Sequence, residues 1–437
     1  MKNLSARLSI LPLIVFVVIY LGTGLYYQSQ GVDYAFYQLP APIAIIPAIV
    51  LAFLLSRRKI SSSVEIFTKG VGDNGIITMC LIYLLAGAFS SVASASGGVD
   101  AVVNAGLSII PSSFILPGLF IISSIVSTAM GTSMGTIGAI APIALAVATK
   151  AGFDLPLVGG VVLSGAMFGD NLSIISDTTI AATKTQGCEM KDKFKENFKI
   201  SMIAGIIVFV LLIFLSPTPQ NIDIKEYNLL LAIPYFAILL LALMGLNVFA
   251  VLFLGIVLAG VIGMTQGYSG ASFLQDAYKG FSSMQEIFIL SMLIGGLSEF
   301  IRMDGGLDLI SKNIQKLTKY IGKWNRGLAD QLGIVLLVTI SNICIANNTV
   351  AIIVVGPIAK KLAKDGEVEP KRSASLLDIF ACIVQGCLPY GAQALLLGAT
   401  FKISPLSVVL SSYYCFVLGV VAIGAIIISN KNVTKLR

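Results

Sequence analysis

Repeated long apolar runs constrain this chain more than any other feature. Runs of about 16–25 residues recur, close to the ~20 that an α-helix needs to cross the hydrocarbon of a bilayer. They lie near 8–26, 41–55, 75–95 and 200–215, and again near 229–244, 248–263, 287–301 and 406–428. Only 12% of the 437 residues are charged and 56% are hydrophobic. A soluble domain carries about a quarter charged residues, so no soluble core could hide this much apolar surface. In lipid every backbone polar group must be satisfied within the chain, which leaves helices or closed barrels. The run lengths choose helices, and the fold class expected is an all-α polytopic membrane protein.

Composition also narrows function. The net charge of +7 reads as cytoplasmic-loop Lys and Arg rather than as a nucleic-acid surface. Lys2 and Arg7 precede the first run. That run shows no small-residue cleavage site, so it reads as a retained span and not a signal peptide. Cys80, Cys188, Cys344, Cys382, Cys387 and Cys415 are scattered with no CxxC pair and read as small buried hydrophobes. There is no His, which excludes a His-ligated metal and a His relay. Proton handling is left to carboxylates, Lys or Tyr. With no soluble domain, metal cluster or nucleophile motif, an enzyme is not expected, and no cofactor is expected beyond coupling ions.

Four polar breaks, three of them containing glycine, interrupt the longest apolar stretches. The most charged is Gly165-Ala166-Met167-Phe168-Gly169-Asp170-Asn171-Leu172-Ser173-Ile174-Ile175-Ser176-Asp177-Thr178-Thr179. The others centre on Ser127, Thr128, Gly131, Thr132 and Ser133; on Ser341, Asn342, Asn347, Asn348 and Thr349; and on Gln385, Gly386, Tyr390, Gly391 and Gln393. Such segments are costly in a membrane unless they have partners or face a water-filled cavity.

The order of features repeats. Thr68-Lys69-Gly70 and Tyr278-Lys279-Gly280 each precede a span, and Gly97-Gly98-Val99-Asp100 has a counterpart in Gly305-Gly306-Leu307-Asp308. Ala141-Pro142-Ile143-Ala144 matches Gly356-Pro357-Ile358-Ala359, and the breaks fall in the same places. The separations are roughly 210–215 residues, the weak internal symmetry of transporter repeats. Charge suggests that the second copy is inverted. The Arg57–Lys59 link and the loop of Lys184, Lys191, Lys193, Lys195 and Lys199 are basic, whereas 97–111 has no Lys or Arg. In the second half the corresponding loop carries Arg302, Lys312, Lys316, Lys319, Lys323 and Arg326. If that loop and 360–372 are both cytoplasmic, the stretch between them enters and leaves on one side.

The expected architecture is two inverted repeats, 1–216 and 229–437, joined by an extracytoplasmic linker, 217–228. Each has five transmembrane crossings plus a re-entrant hairpin, and one crossing is a discontinuous helix. The hairpins are expected at about 114–148 and 332–362, and the broken helices at about 155–182 and 376–400. Both termini come out cytoplasmic.

The breaks expose helix ends suited to an ion and a small solute. The cation-binding candidates are Asp170, Asn171, Ser173, Ser176, Asp177, Thr178 and Thr179, since a hard cation such as Na+ prefers oxygen ligands. The bland alternative for Asp177 is helix capping. The neutral residues of the other three breaks are solute-lining candidates, with interhelical hydrogen bonding as their alternative. Asp378 reads as a cytoplasmic helix end, Glu299 with Arg302 as an i,i+3 pair at a span end, and Lys184 and Lys402 as snorkelling residues in matching places.

The stretch Gly169-Asp170-Asn171-Leu172-Ser173-Ile174-Ile175-Ser176-Asp177-Thr178-Thr179 resembles the NhaC-type sodium/proton antiporter family of the ion transporter superfamily. That family shows Gly-Asp-x-x-Ser-Pro-x-Ser-Asp-Thr-Thr. The match departs at Ile174, where many members have Pro. This departure, with the continuation Ile180-Ala181-Ala182-Thr183-Lys184-Thr185-Gln186-Gly187, is similar to the branch that includes amino-acid carriers. The resemblance implies inverted repeats, each with a hairpin and a broken helix, and the cytoplasmic (inner) membrane of a prokaryote. The function expected is cation-coupled secondary transport by alternating access, with Na+/H+ antiport first. Na+-coupled transport of a small amino acid or carboxylate is the alternative. The expected partners are the bilayer, Na+ and H+. A homodimer is left open, and nucleic acid is not expected.

Overall fold

The computed structural model describes residues 8–435 except 33–34, 57, 110, 175, 217–226, 245 and 323–325. The basic start of the chain, most of the expected linker, and Lys323 lie outside the described residues. The first half contains α1 (Leu11–Ser29), α2 (Ala41–Leu55), α3 (Ile60–Val71), α4 (Asn74–Ala95), α5 (Gly98–Ile109) and α6 (Ile115–Met130). It continues with α7 (Ser133–Ala151), α8 (Leu155–Leu172), α9 (Asp177–Gln186) and α10 (Met190–Leu215). The second contains α11 (Leu229–Leu243), α12 (Val248–Thr265), α13 (Gly270–Ser283), α14 (Gln285–Met303), α15 (Gly306–Ile321) and α16 (Arg326–Ile345). After these come α17 (Asn348–Asp365), α18 (Pro370–Cys387), α19 (Ala392–Phe401), α20 (Pro405–Leu410) and α21 (Tyr413–Lys435). Among the described residues there is no strand. Among the described residues, eight spans are long and apolar enough to cross a membrane, or nine with the bent pair α13–α14, and four shorter apolar helices accompany them. The chain is an all-α polytopic membrane protein.

Helices begin and end where the sequence supplies the means. Thr132 and Asn347, both extended, cap α7 and α17 through the amides of Gly135 and Val350, relieving donors that no helix can satisfy internally. Just before each cap the backbone turns left-handed, at Gly131 (φ 69) and Ala346 (φ 55). Glycine takes that conformation freely, whereas alanine does so at a cost of about 1 kcal/mol.

Several features recur at the 215-residue separation that also divides Met167 from Cys382, whose thiol donates to the Met167 carbonyl. Left-handed residues pair as Gly131 with Ala346, Gly152 with Glu367, and Gly187 with Lys402. The pairs α8–α9 and α18–α19 each form a 32-residue span, Leu155–Gln186 and Pro370–Phe401. Ser127 donates to the Ala166 carbonyl, and Asn342 donates to that of Ala381, each across 39 residues.

Two reciprocal glycine contacts cross between the halves. A Cβ on Gly70 of α3 would strike the Gly295 carbonyl of α14, and one on Gly280 of α13 would strike the Gly87 carbonyl of α4. Close helix approach through small residues is what association in lipid rewards. This explains why Thr68-Lys69-Gly70 and Tyr278-Lys279-Gly280 lie inside packed helices.

Two sequence expectations need correction here. The helix expected at 200–215 starts at Met190, so Lys193 is not in a loop. The buried positions of α10, including Lys193, Asn197, Ile200, Ser201 and Ala204, follow helical spacing back into the charged segment. Asp378 is not a helix end. It lies within α18 and is fully buried.

Candidate functional site

Three of the four helix breaks, and the start of the segment after the fourth, contribute to a cavity of about 370 Å³. The α6–α7 turn supplies Gly131, Thr132 and Ser133, and the α8–α9 break supplies Asp170, Ser176, Asp177 and Thr178. The α16–α17 turn supplies Asn347, Asn348 and Thr349, and α19 supplies Gln393. The cavity also takes in Asp73, Asn74 and Thr78 at the start of α4. Sequence reasoning missed this third carboxylate. Its signal was an Asp-Asn-Gly sequence before an apolar run, and Asp73 does cap α4 through Gly75 and Ile76.

Asp170 occupies the last turn of α8 and is 4% exposed. One carboxylate oxygen accepts from the Ser133 hydroxyl at 2.8 Å, and the Ser176 hydroxyl, paired with that of Thr178 at 2.7 Å, lines the same cavity. Among the described residues Asp170 forms no ion pair with Lys or Arg. The carbonyl end of a half-helix carries partial negative charge, which adds to the attraction for a cation. Asp177 is the first residue of α9, is exposed, and shares the cavity with Asp170. The cap of α9 is Ser176 rather than Asp177.

A hydrogen-bond chain ties the second half to this carboxylate. Gln385 donates to Gln393 (2.8 Å), Gln393 to Ser133 (3.2 Å), and Ser133 to Asp170. Gln385 stands 215 residues after Asp170, at the matching place in α18. The uncharged break thus points donors toward the charged one.

Other candidates line no part of the cavity and brace its walls. Ser127 bonds Ala166, Thr128 bonds the Ser124 carbonyl (2.8 Å), Asn342 bonds Ala381, and Tyr390 bonds the Ile343 carbonyl (2.8 Å). Ser341 and Gly386 are buried, and Gly386 packs against Cys415. Gly391 precedes α19 as its cap position.

Asn171, Ser173 and Thr179 are buried and are also absent from the cavity wall. The Lys193 ammonium of α10 lies 2.6 Å from Thr179 Oγ1, 3.3 Å from the Asn171 carbonyl and 2.7 Å from Asp378 Oδ2. Asn197 donates to Asp378 and to the Asn171 carbonyl, and Asn171 donates to Tyr414.

A second cavity, about 480 Å³, shares Asp73, Asn74, Asn347, Val350 and Ile353 with the first. Lys69, Glu299 and Arg302 line it further out. The expected Glu299–Arg302 pair forms, at 2.5–2.6 Å, with Lys69 3.7 Å from Glu299. Lys184 and Lys402 do not occupy matching places. Lys184 is in the last turn of α9, and Lys402 is the left-handed cap residue after α19.

Residues 3–216, which carry the charged break, match the Na+/H+ antiporter family. That match takes in just under half of the chain. Similar relatives include the malate-2H(+)/Na(+)-lactate antiporter of Bacillus subtilis, 27% identical over 374 residues, spanning 81% of this chain and 73% of the relative. The Na(+)/H(+) antiporter NhaC of the same organism is 24% identical over 404 residues, spanning 81% and 85%. The arginine/ornithine antiporter ArcD of Halobacterium salinarum is 27% identical over 141 residues, spanning 32% and 28%. These relatives are antiporters rather than enzymes. The family match covers α1–α10, and Asn347, Asn348, Thr349 and Gln393, which complete the cavity, lie beyond it.

Proposed function

We propose that this chain exchanges Na+ for H+ by alternating access, with Asp170 as the carboxylate that both cations use in turn. The observation that carries this reading is a buried carboxylate that faces a cavity and has no Lys or Arg partner among the described residues. An ionised carboxylate removed from water needs either a cation or a proton. Ser133, Ser176, Asp177 and Thr178 add oxygens around it, which suits a hard cation.

The exchange needs a frame that exposes one site to two sides. The features recurring 215 residues apart and the reciprocal Gly70–Gly295 and Gly87–Gly280 crossings support two inverted repeats, 1–216 and 229–437. In this reading α6–α7 and α16–α17 are re-entrant hairpins, and α8–α9 and α18–α19 are discontinuous crossings. The positive-inside pattern favours cytoplasmic termini in a prokaryotic inner membrane. The second cavity, at the Lys69–Arg302 end, would then open inward.

A second reading has a specific observation behind it. The cavity of about 370 Å³ has room for more than an ion, and α7 and α17 both start at it. Helix N-termini favour carboxylates. A small carboxylate or amino acid carried with Na+ would use Asn347, Asn348 and Thr349. In purified proteoliposomes, a Na+ jump with no organic solute should change luminal pH. No pH change, together with Na+-dependent uptake of a labelled carboxylate or amino acid, would replace the first reading with the second.

A further inference from the structure

The Lys193–Asp378 pair is used by neither cavity. Both side chains are essentially unexposed, at 1% and 0%. A buried ion pair is often no better for stability than apolar packing of the same volume, so its presence calls for another explanation. The ammonium sits among a carboxylate oxygen of α18, the Thr179 hydroxyl of α9 and the Asn171 carbonyl at the end of α8, at 2.7, 2.6 and 3.3 Å. A carboxylate, a hydroxyl and the carbonyl end of a broken helix are donors that suit a bare monovalent cation. Oxygen is also in excess. Asp378 Oδ1, Asn171 Oδ1, Asn197 Oδ1 and Ser173 Oγ are buried without a hydrogen-bond partner, although buried polar atoms are normally satisfied.

We propose that the Lys193 ammonium is a resident cation filling an oxygen site at the back of the α8–α9 break that would otherwise take a second Na+. The inference rests on the Na+-transport reading. Asp170 and Thr178 face the cavity, while their neighbours Asn171 and Thr179 face Lys193. One break therefore presents a front site for a mobile cation and a back site whose cation is tethered. The tether fixes how many Na+ ions the chain can bind.

Removing the tether should vacate the back site. In Lys193→Ala the Hill slope for Na+-driven exchange should rise from about 1 toward about 2. The purified variant should be less stable than the unaltered protein in Na+-free buffer, and high Na+ should restore it. In the double variant Lys193→Met with Asp378→Leu no charge remains to attract an ion, so Na+-dependent stabilisation should match that of the unaltered protein. The inference is overturned if Lys193→Ala keeps a slope near 1 with no added Na+ stabilisation. It is also overturned if saturating Na+ cannot recover that variant, or if the double variant gains the same extra Na+ response. No Na+ response in the unaltered protein would instead overturn the transport reading beneath it.

Discussion

The two broken spans, Leu155–Gln186 and Pro370–Phe401, share a backbone plan and differ in the chemistry it holds. The first places Asp170 where the second places Gln385. The first caps its restarted helix with the Ser176 hydroxyl, and the second restarts after Gly391 with no side-chain cap. Their neighbouring helix–turn–helix units differ as well. Gly333 and Leu362 bring the arms of α16–α17 into contact. Gly118 instead lines an apolar cavity of about 390 Å³ between α6 and α7, closed partly by Phe236 and Leu239 of α11. The comparison separates architecture from charge. A break supplies helix ends and polar backbone, and the side chain at its edge decides whether a cation is held. The second half lends neutral donors through Gln385 and Gln393 and leaves the charge to Asp170.

The sharpest way to break this asymmetry is to move the acid. Asp170→Asn should lower Na+-driven exchange by about 100-fold or more, because a buried site that loses its charge loses most of its hold on a cation. Asp170→Gln combined with Gln385→Asp should not restore it, since Gln385 does not line the cavity. Recovery in that swap, measured in proteoliposomes, would mean that the halves are chemically interchangeable.

A smaller effect should come from the chain that joins the halves. Gln393→Ala removes the donor to Ser133. It should weaken the apparent Na+ affinity about tenfold, the scale of one hydrogen bond in a network around a charge. An unchanged Na+ titration would show that the second half contributes scaffold alone.

The smallest effects concern the two left-handed turns. Gly131→Ala should destabilise the protein by about 1 kcal/mol. Ala346→Gly relieves the same strain and should be neutral or stabilising by a few tenths of a kcal/mol, offset by glycine's greater unfolded freedom. Thermal unfolding in detergent measures both, and a stabilised Gly131→Ala or a clearly destabilised Ala346→Gly would contradict the matching of the two turns.

Much of the frame was legible because a membrane punishes unpartnered backbone. Apolar runs interrupted by glycine and small polar residues had to be breaks, and the turns at Gly131–Thr132 and Ala346–Asn347 fall where the sequence indicated. The side of the break that each residue faces was not legible. Asp170 and Asn171 are neighbours, yet one meets the cavity and the other meets Lys193. Lys193 and Asp378 both lie beside basic loops in sequence, and each alone reads as interfacial. Only packing α10 against α18 reveals that they neutralise each other. A signal did exist, because Asn197 and Lys193 extend the buried stripe of α10 back from Ile200 by about two helical turns. Asp73 carries only a local signal, an Asp ahead of an apolar run that suits a helix cap, whereas its place on the cavity depends on the distant Asn347 turn.

The central claim, that one carboxylate serves both cations, is tested most directly by titrating Na+ against exchange rate at a series of pH values. Proteoliposomes lacking any organic solute provide the assay. Protons and Na+ competing for Asp170 should raise the half-saturating Na+ concentration as pH falls, by about tenfold per unit on the acid side. The maximal rate at saturating Na+ should not change. A half-saturating concentration that does not vary with pH, or full exchange in Asp170→Asn, would contradict the account.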